Sequence, residues 1–318
     1  MELSKIKMSN ENKKQILFQI KVLNNYCNKS EYLNDGEVLF LNKALPAFIG
    51  LLPLKVYLIN SFNLPFERLV INENFCKKNS RLKNLADLRY PPREIQNDMD
   101  YNRASLKGQT VFYAGTKGSL PNSIEIQPQK GKVITESKWK FNSGILKMLI
   151  ICQNANLAMS NPNDLLDYYN EYERLLNPLD QNNREVVESA YRFIIKAFTR
   201  KVNSQIKQGY LVSAVLSNLF FTNKKNPIDA IYYPRVPNNG SVMNIAILPD
   251  ILDKQFRMIE ATESIVLSNP GKNKWGAFTT GICKSYDEDT LELNWVDQII
   301  PSNGFFKNFL QEYNVDLN

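Results

Sequence analysis

The sequence predicts a mixed fold of the α+β class. Segments with strand character lie near both ends of the chain, and segments with helical periodicity fill its middle. Strands and helices that are grouped in this way are typical of α+β proteins rather than of alternating α/β proteins. The 318 residues, of which 43% are hydrophobic, can bury one large core, or one core with a small appendage.

The individual elements follow from hydrophobic spacing. An amphipathic helix is predicted at 12–27, where Ile16, Ile20 and Leu23 recur at roughly helical intervals. Three strands are then predicted, at 66–72, 110–115 and 132–141. Three helices fill the middle, at 164–176 after the capping residue Asn163, at 184–202 and at 210–221. The last third returns to strands, at 230–233, 243–248, 257–266, 276–284 and 290–296.

Composition limits the chemistry that the chain can carry out. The formal net charge of +7 suits an anionic partner, but no block of like charges marks a tail that binds nucleic acid. The chain contains no histidine, which removes Ser-His and Cys-His nucleophile pairs and every histidine-containing metal site. The four cysteines are scattered and fit neither a CxxC metal pattern nor a dense disulfide framework. We therefore expect reduced thiols and no metal cofactor.

The apolar segments predict a cytoplasmic protein. The N-terminus is polar and lacks the apolar core of a signal peptide. The longest apolar stretch, at 44–62, is interrupted by Pro46, Gly50, Pro53 and Lys55 and is too broken to span a membrane. We expect neither a membrane nor a nucleic acid as a partner.

One short unit, at 101–113, combines an arginine, a glycine turn and a strand that ends in tyrosine. Arg103 in this unit and Arg68 on the first predicted strand offer two guanidiniums, and planar guanidiniums bind phosphate oxygens bidentately. Tyr113 precedes a small-residue turn that lets a flat ring lie against its face. The residues alone favour a surface ion pair for each arginine and core packing for the tyrosine, and only a family resemblance favours the phosphate-binding interpretation of the arginines.

With Glu125, twelve residues beyond Tyr113, and the downstream runs 231–236 and 244–247, the chain resembles the RES-domain family of NAD-consuming proteins. The resemblance covers roughly residues 65–267. It implies an ADP-ribosyltransferase-like fold, with a split β-sheet core and a helical middle section.

The resemblance also implies a division of the chain. An N-terminal helical extension is expected at 1–62 and a RES-like NAD-binding domain at 63–318. That domain carries a helical insertion at about 143–221.

The resemblance assigns roles to six residues of this chain. It implies that Glu125, Tyr113 and Arg68 carry the catalysis, with Glu125 stabilising the positive charge that develops on the ribose. Arg68 and Arg103 are expected to hold the pyrophosphate of NAD, and Tyr113 is expected to stack on nicotinamide. The candidates for NAD binding are Arg68, Arg103, Tyr113, Asn244 and Arg235, the last of which stands where this chain departs from the family.

Two positions complicate this assignment. The family carries a serine directly after the proline of a Tyr-Pro-Ser run, and this chain has the bulky cation Arg235 there. Ser241 is the nearby hydroxyl that could substitute for it. Glu125 is flanked by loop signals, so Glu136 on the following strand is the alternative carboxylate.

The resemblance implies a growth-arresting toxin or effector of the NAD phosphorylase or glycohydrolase type. NAD is then the substrate, its nicotinamide-ribose N-glycosidic bond is broken, and ADP-ribose passes to phosphate or water. Two alternatives stay open, namely transfer of ADP-ribose to a protein and a catalytically inactive nucleotide-binding module. A family of this kind also implies an antitoxin or regulatory protein partner.

Overall fold

The computed structural model describes residues 9–29, 33–49, 54–62, 65–76, 78–91, 99–116, 126–151, 162–202, 207–235, 243–271, 274–299, 301 and 304–316. It is a mixed α+β structure with 42% helix and 29% strand, which confirms the predicted class. The chain forms two compact units. The first comprises Met1–Ile59, Asn97–Gln109 and Ile145–Ala246, and the second comprises Asn60–Gln96, Thr110–Gly144 and Ile247–Asn318.

The helices are numbered here in chain order. They are α1 Asn10–Asn28, α2 Asp35–Ile49, α3 Glu73–Cys76, α4 Leu85–Leu88, α5 Pro162–Leu176, α6 Gln181–Thr199, α7 Leu211–Phe221, α8 Pro249–Gln255 and α9 Gly304–Glu312. A 3-10 turn, Lys207–Tyr210, leads directly into α7. Among the helices in the described ranges, none has both the length and the apolar character needed to cross a bilayer.

The strands are numbered in the same way. They are β1 Val56–Ile59, β2 Phe66–Ile71, β3 Phe112–Gly115, β4 Val133–Phe141, β5 Leu146–Ile150, β6 Ala230–Pro234, β7 Met243–Ile247, β8 Phe256–Gly271, β9 Lys274–Tyr286 and β10 Leu293–Asp297.

In the first unit, helices pack around strands in the order β1, β5, β6, β7. Strand β5 runs antiparallel to β1 and parallel to β6, with Leu149 opposite both Val56 and Ile231. Helix α1 buries Ile20, Leu23 and Cys27 and packs against α6. The N-terminal helices therefore share one compact unit with the helices of the predicted insertion.

In the second unit the strand order is β3, β2, β4, β8, β9, β10, and the paired neighbours are antiparallel. Arg68 on β2 lies opposite Ser137 on β4, and Ser137 lies opposite Ala261 on β8. Because residues directly opposite each other on paired strands lie on the same side of the sheet, these three side chains share one face. The core on that face includes the fully buried rings of Phe66 and Trp139.

The structure also differs from the predicted elements in places. Helix α2 and strands β1 and β5 were not predicted. Helix α5 begins at Pro162, so Asn163 lies inside its first turn rather than ahead of it. Helix α6 begins earlier than expected because the carboxylate of Asp180 caps it, accepting a hydrogen bond from the amide of Asn183 at 2.9 Å.

Candidate functional site

Arg68 is the most unusual of the predicted site residues in its surroundings. It lies in the middle of β2, where Leu69 and Val70 after it are buried, and the arginine itself is only 9% exposed. Arginine is among the residues that proteins seldom bury without a charged partner. The first strand of the second unit thus carries a guanidinium into its interior.

Aromatic rings and one carbonyl surround this guanidinium. Its Nη1 donates to the carbonyl oxygen of Tyr113 at 3.0 Å. Its Cζ lies 5.4 Å from the centre of the Phe112 ring and 5.8 Å from that of Phe75, both within the range of cation–π attraction. The Phe112 ring packs in turn on Trp139, with 5.2 Å between the ring centres. Neither Phe75 nor Phe112 was predicted to belong to the site.

The electrostatic balance around Arg68 is incomplete. Its Nε is buried and has no hydrogen-bond partner, and no carboxylate in the described part of the chain forms an ion pair with the residue. Burial lowers the pKa of Arg68 to about 10, and the Tyr113 phenol opposes that change. The side chain is nevertheless a cation at neutral pH.

Of the three residues predicted for catalysis, the structure describes Arg68 and Tyr113. Arg68 and Tyr113 are brought together, because the carbonyl of Tyr113, the half-buried second residue of β3, accepts the Arg68 hydrogen bond. Glu125 lies outside the described residues, so its role stays a prediction. Glu136, the alternative carboxylate, is on β4 next to Ser137 and therefore faces the other side of the sheet from Arg68.

Arg103 belongs to the first unit and is engaged with backbone. It occupies a four-residue turn that is closed by mutual hydrogen bonds between Asn102 and Ser105. Its Nη1 donates to the carbonyl of Phe198 at 2.7 Å, and its Nη2 donates to the carbonyl of Arg200 at 3.2 Å. These carbonyls lie at the C-terminal end of α6, where the last carbonyls of a helix have no hydrogen-bond partner within the helix. Its predicted contact with the NAD pyrophosphate stays a prediction.

Arg235 and Asn244 lie on neighbouring strands of the first unit. Arg235 directly follows β6 and is 3% exposed, and Asn244 is the second residue of β7 and is 9% exposed. The arginine at the position expected to hold serine is therefore a buried residue. Ser241 lies outside the described residues.

The residues that sequence reasoning missed are mainly the aromatic neighbours of Arg68. Phe112 precedes Tyr113 within the unit 101–113, whereas Phe75 lies beyond the end of the strand predicted at 66–72. A signal for Phe112 was available, because successive residues of a strand face opposite sides of the sheet, and Phe112 therefore lies on the face opposite to that of Tyr113. No comparable signal placed Phe75 over the guanidinium.

The chain was compared with known proteins. No model of a protein family matches it, and no curated protein matches it either. Its function is therefore argued from the chemistry of its own residues.

Proposed function

We propose that the chain cleaves NAD at the bond between nicotinamide and ribose and passes ADP-ribose to phosphate or water. The observation that carries the proposal is the buried guanidinium of Arg68, which contacts the Tyr113 backbone and has no carboxylate partner among the described residues. Such a group is suited to donate a hydrogen bond to a phosphate oxygen of a dinucleotide.

The Arg68 guanidinium is a buried charge without an opposite charge beside it among the described residues. Removing an ion from water costs several kcal/mol even after the protein relaxes around it. Two cation–π contacts contribute about 0.5–2 kcal/mol each and one carbonyl hydrogen bond about 1.5–3 kcal/mol, which offsets part of that cost. A bound phosphate supplies the opposite charge and accepts from the guanidinium, so ligand and guanidinium stabilise each other.

The reaction assigned to the site keeps its atoms and electrons balanced. The ribose C1′–N bond breaks, nicotinamide leaves with the bonding electron pair, and the ribose carries the positive charge. A phosphate or water oxygen then bonds to C1′, and an attacking water loses its proton to solvent. In this proposal Glu125 stabilises the charged ribose, Tyr113 stacks on nicotinamide and Arg68 holds a phosphate of the departing ADP-ribose.

A second candidate is a nucleotide-binding module without turnover. The buried Arg235 favours it, because a large cation takes the position at which the resemblance implies a small hydroxyl beside the ribose. Transfer of ADP-ribose to a protein shares the first bond cleavage and differs only in the acceptor.

The test of the proposal is the loss of NAD on incubation with the full purified chain. Nicotinamide and ADP-ribose species are measured by mass spectrometry, with and without inorganic phosphate and with and without a cell lysate. Free ADP-ribose indicates transfer to water, its phosphate ester indicates transfer to phosphate, and modified lysate peptides indicate transfer to protein. Glu125→Gln is expected to abolish turnover because it removes the charge but keeps the side-chain shape.

The control for Glu125→Gln is Glu288→Gln, the same change at an exposed residue whose side chain pairs with Arg257. The control variant is expected to turn NAD over at the parental rate. NAD that binds but stays intact with the parent chain would favour the binding module. Parental turnover by the Glu125→Gln variant would show that this carboxylate is not the catalytic one.

A further inference from the structure

A second group of cations lies in the first unit, around the ring of Tyr210. The guanidinium of Arg103 lies over this ring, with 5.0 Å from Cζ to the ring centre, and the ammonium of Lys207 lies 5.9 Å from the same centre. The Arg200 guanidinium joins them, because its Nη2 donates to the carbonyl of Gly209, next to Tyr210, and it interacts electrostatically with Arg103 and Tyr210. All four side chains are only partly buried. We call Arg103, Arg200, Lys207 and Tyr210 the Tyr210 cation cluster.

Backbone geometry builds this cluster. Helix α6 ends at Thr199, and Arg200 as its capping residue turns back so that its Nη2 donates to the carbonyl of Gly209 at 2.6 Å. Position 209 needs glycine for this approach, because an added Cβ would lie 2.8 Å from Arg200 Nη2 and 2.7 Å from Val202 Cγ1. The 3-10 turn that contains Gly209 also carries Lys207 and Tyr210. This turn therefore carries Lys207 and also accepts the hydrogen bond that holds the Arg200 side chain.

The positive charge of the cluster exceeds what its surroundings neutralise. In the ranges that the structure describes, no carboxylate forms an ion pair with Arg103, Arg200 or Lys207. The carbonyl end of α6 offers about half a negative charge, against three full positive charges. Burial lowers the pKa of Arg200, the nearby Cys27 thiol opposes that change, and the charge of Arg103 lowers it further.

We propose that the Tyr210 cation cluster is a binding site for a phosphate group. Helix capping alone accounts for Arg103, whose guanidinium donates to the carbonyls of Phe198 and Arg200, but it does not account for Lys207, which donates to none of the described carbonyls. The site has the composition that phosphate selects, with two guanidinium forks and one ammonium.

The donors needed for such a ligand are present. Arg200 uses one N–H on the Gly209 carbonyl, and Arg103 uses two on the end of α6, so each guanidinium keeps further N–H groups. The carbonyl contacts also fix both planes in advance, so little side-chain entropy is lost on binding. The ligand is inorganic phosphate or the phosphate of a nucleotide, which share this chemistry. The inference stands whether or not the chain cleaves NAD.

The test is titration of the full chain with inorganic phosphate, AMP and adenosine, in the absence of NAD and at constant ionic strength set with chloride. Calorimetry gives the affinity, and thermal unfolding gives the ligand-induced rise in melting temperature. Lys207→Glu reverses one charge without removing a capping hydrogen bond. The matched control is Lys201→Glu, the same change at an exposed lysine next to Arg200.

The proposal predicts that phosphate or AMP binds, that adenosine does not, and that Lys207→Glu weakens binding by about tenfold or more, the equivalent of about 1.4 kcal/mol. Lys201→Glu is expected to retain most of the affinity. Binding of phosphate itself identifies the free anion as a ligand, and binding of AMP alone identifies a nucleotide. The proposal is overturned if phosphate and AMP have no more effect than chloride, or if the two lysine variants lose affinity equally.

Discussion

The buried carboxylate of Glu263 offers a sharp test of how the second unit is held together. Glu263 lies on β8 and is fully buried, and its Oε1 accepts from Arg81 Nε at 3.1 Å, from Arg81 Nη2 at 3.0 Å and from the Thr280 hydroxyl at 2.7 Å. Arg81 also pairs with the exposed Asp297 at 2.6 Å and stacks over the Trp295 ring at 5.3 Å. The perturbation is Glu263→Leu.

The expected loss of unfolding free energy follows from the groups that the substitution leaves without a partner. Three donors lose their acceptor at once, and the Arg81 side chain, 10% exposed, keeps its charge. Removing one partner of a buried ion pair costs about 3–5 kcal/mol of unfolding free energy. The control is Asp297→Asn, which removes a carboxylate from the same arginine. Because the Asp297 side chain is 73% exposed, this change should cost no more than about 1 kcal/mol.

Urea denaturation, monitored by tryptophan fluorescence, measures the unfolding free energy of both variants. The double variant Arg81→Met with Glu263→Leu should recover much of the loss, because apolar replacement of both partners of a buried ion pair is often neutral or stabilising. The reasoning fails if Glu263→Leu unfolds at nearly the parental urea concentration with an unchanged slope. It also fails if the loss in the double variant equals the sum of the losses that Arg81→Met and Glu263→Leu cause singly.

Two further predictions concern a turn and a carboxylate. Gly131 has φ +84°, and an added Cβ would collide with the ring of Tyr313, so Gly131→Ala should cost at least about 1–2 kcal/mol. Gly304→Ala, where no atom of the described residues lies within 4 Å of an added Cβ, should be neutral or slightly stabilising, and thermal unfolding measures both variants. The amide and hydroxyl of Thr290 lower the pKa of Asp287. The stability that this contact contributes is present above the ordinary carboxyl pKa and is lost as the pH falls through the lowered value. In melting temperatures measured across that acid range, Asp287→Asn should therefore show a smaller acid-side loss than the parent.

The sequence predicted the elements in which spacing and burial agree. Strand β4 was predicted at 132–141 and spans Val133–Phe141, because its alternate residues are buried. Helix α6 was predicted because its apolar residues fall on one face. Strand β5 was missed because its leucine, methionine and lysine favour helix, and only pairing with β1 and β6 makes it a strand.

Helix α2 could have been found. Leu41, Leu45 and Phe48 recur at helical spacing and are buried, but Pro46 within the helix disguised the pattern as an interrupted apolar run. Glu263 also left a signal, because it alternates with Ala261 and Ile265 on the buried side of a predicted strand. A carboxylate at such a position requires a partner, although the sequence does not reveal that the partner is Arg81.

The candidate site was predictable only in its residue types. The sequence singled out Arg68 and Tyr113 as candidates. The hydrogen bond from the Arg68 side chain to the Tyr113 carbonyl forms because β2 and β3 are paired neighbours in the sheet. The burial of Arg68, the rings of Phe75 and Phe112 around it and the grouping of Arg200 with Arg103 depend on long-range packing. Local patterns carry no information on such distances.

Calorimetric titration of NAD and ADP-ribose into the parent chain and into Arg68→Met tests whether the buried guanidinium binds the dinucleotide. The account predicts that the parent binds both ligands and that the variant binds neither detectably. It also predicts that the ligand-free variant is at least as stable as the parent, because an unpaired buried charge has been replaced by an apolar side chain of similar length. Arg257→Met, at an exposed arginine of the same unit, should bind like the parent. Undiminished binding by Arg68→Met would contradict the account, and so would a ligand-free variant less stable by about 1.5–3 kcal/mol, the worth of a purely structural hydrogen bond to the Tyr113 carbonyl.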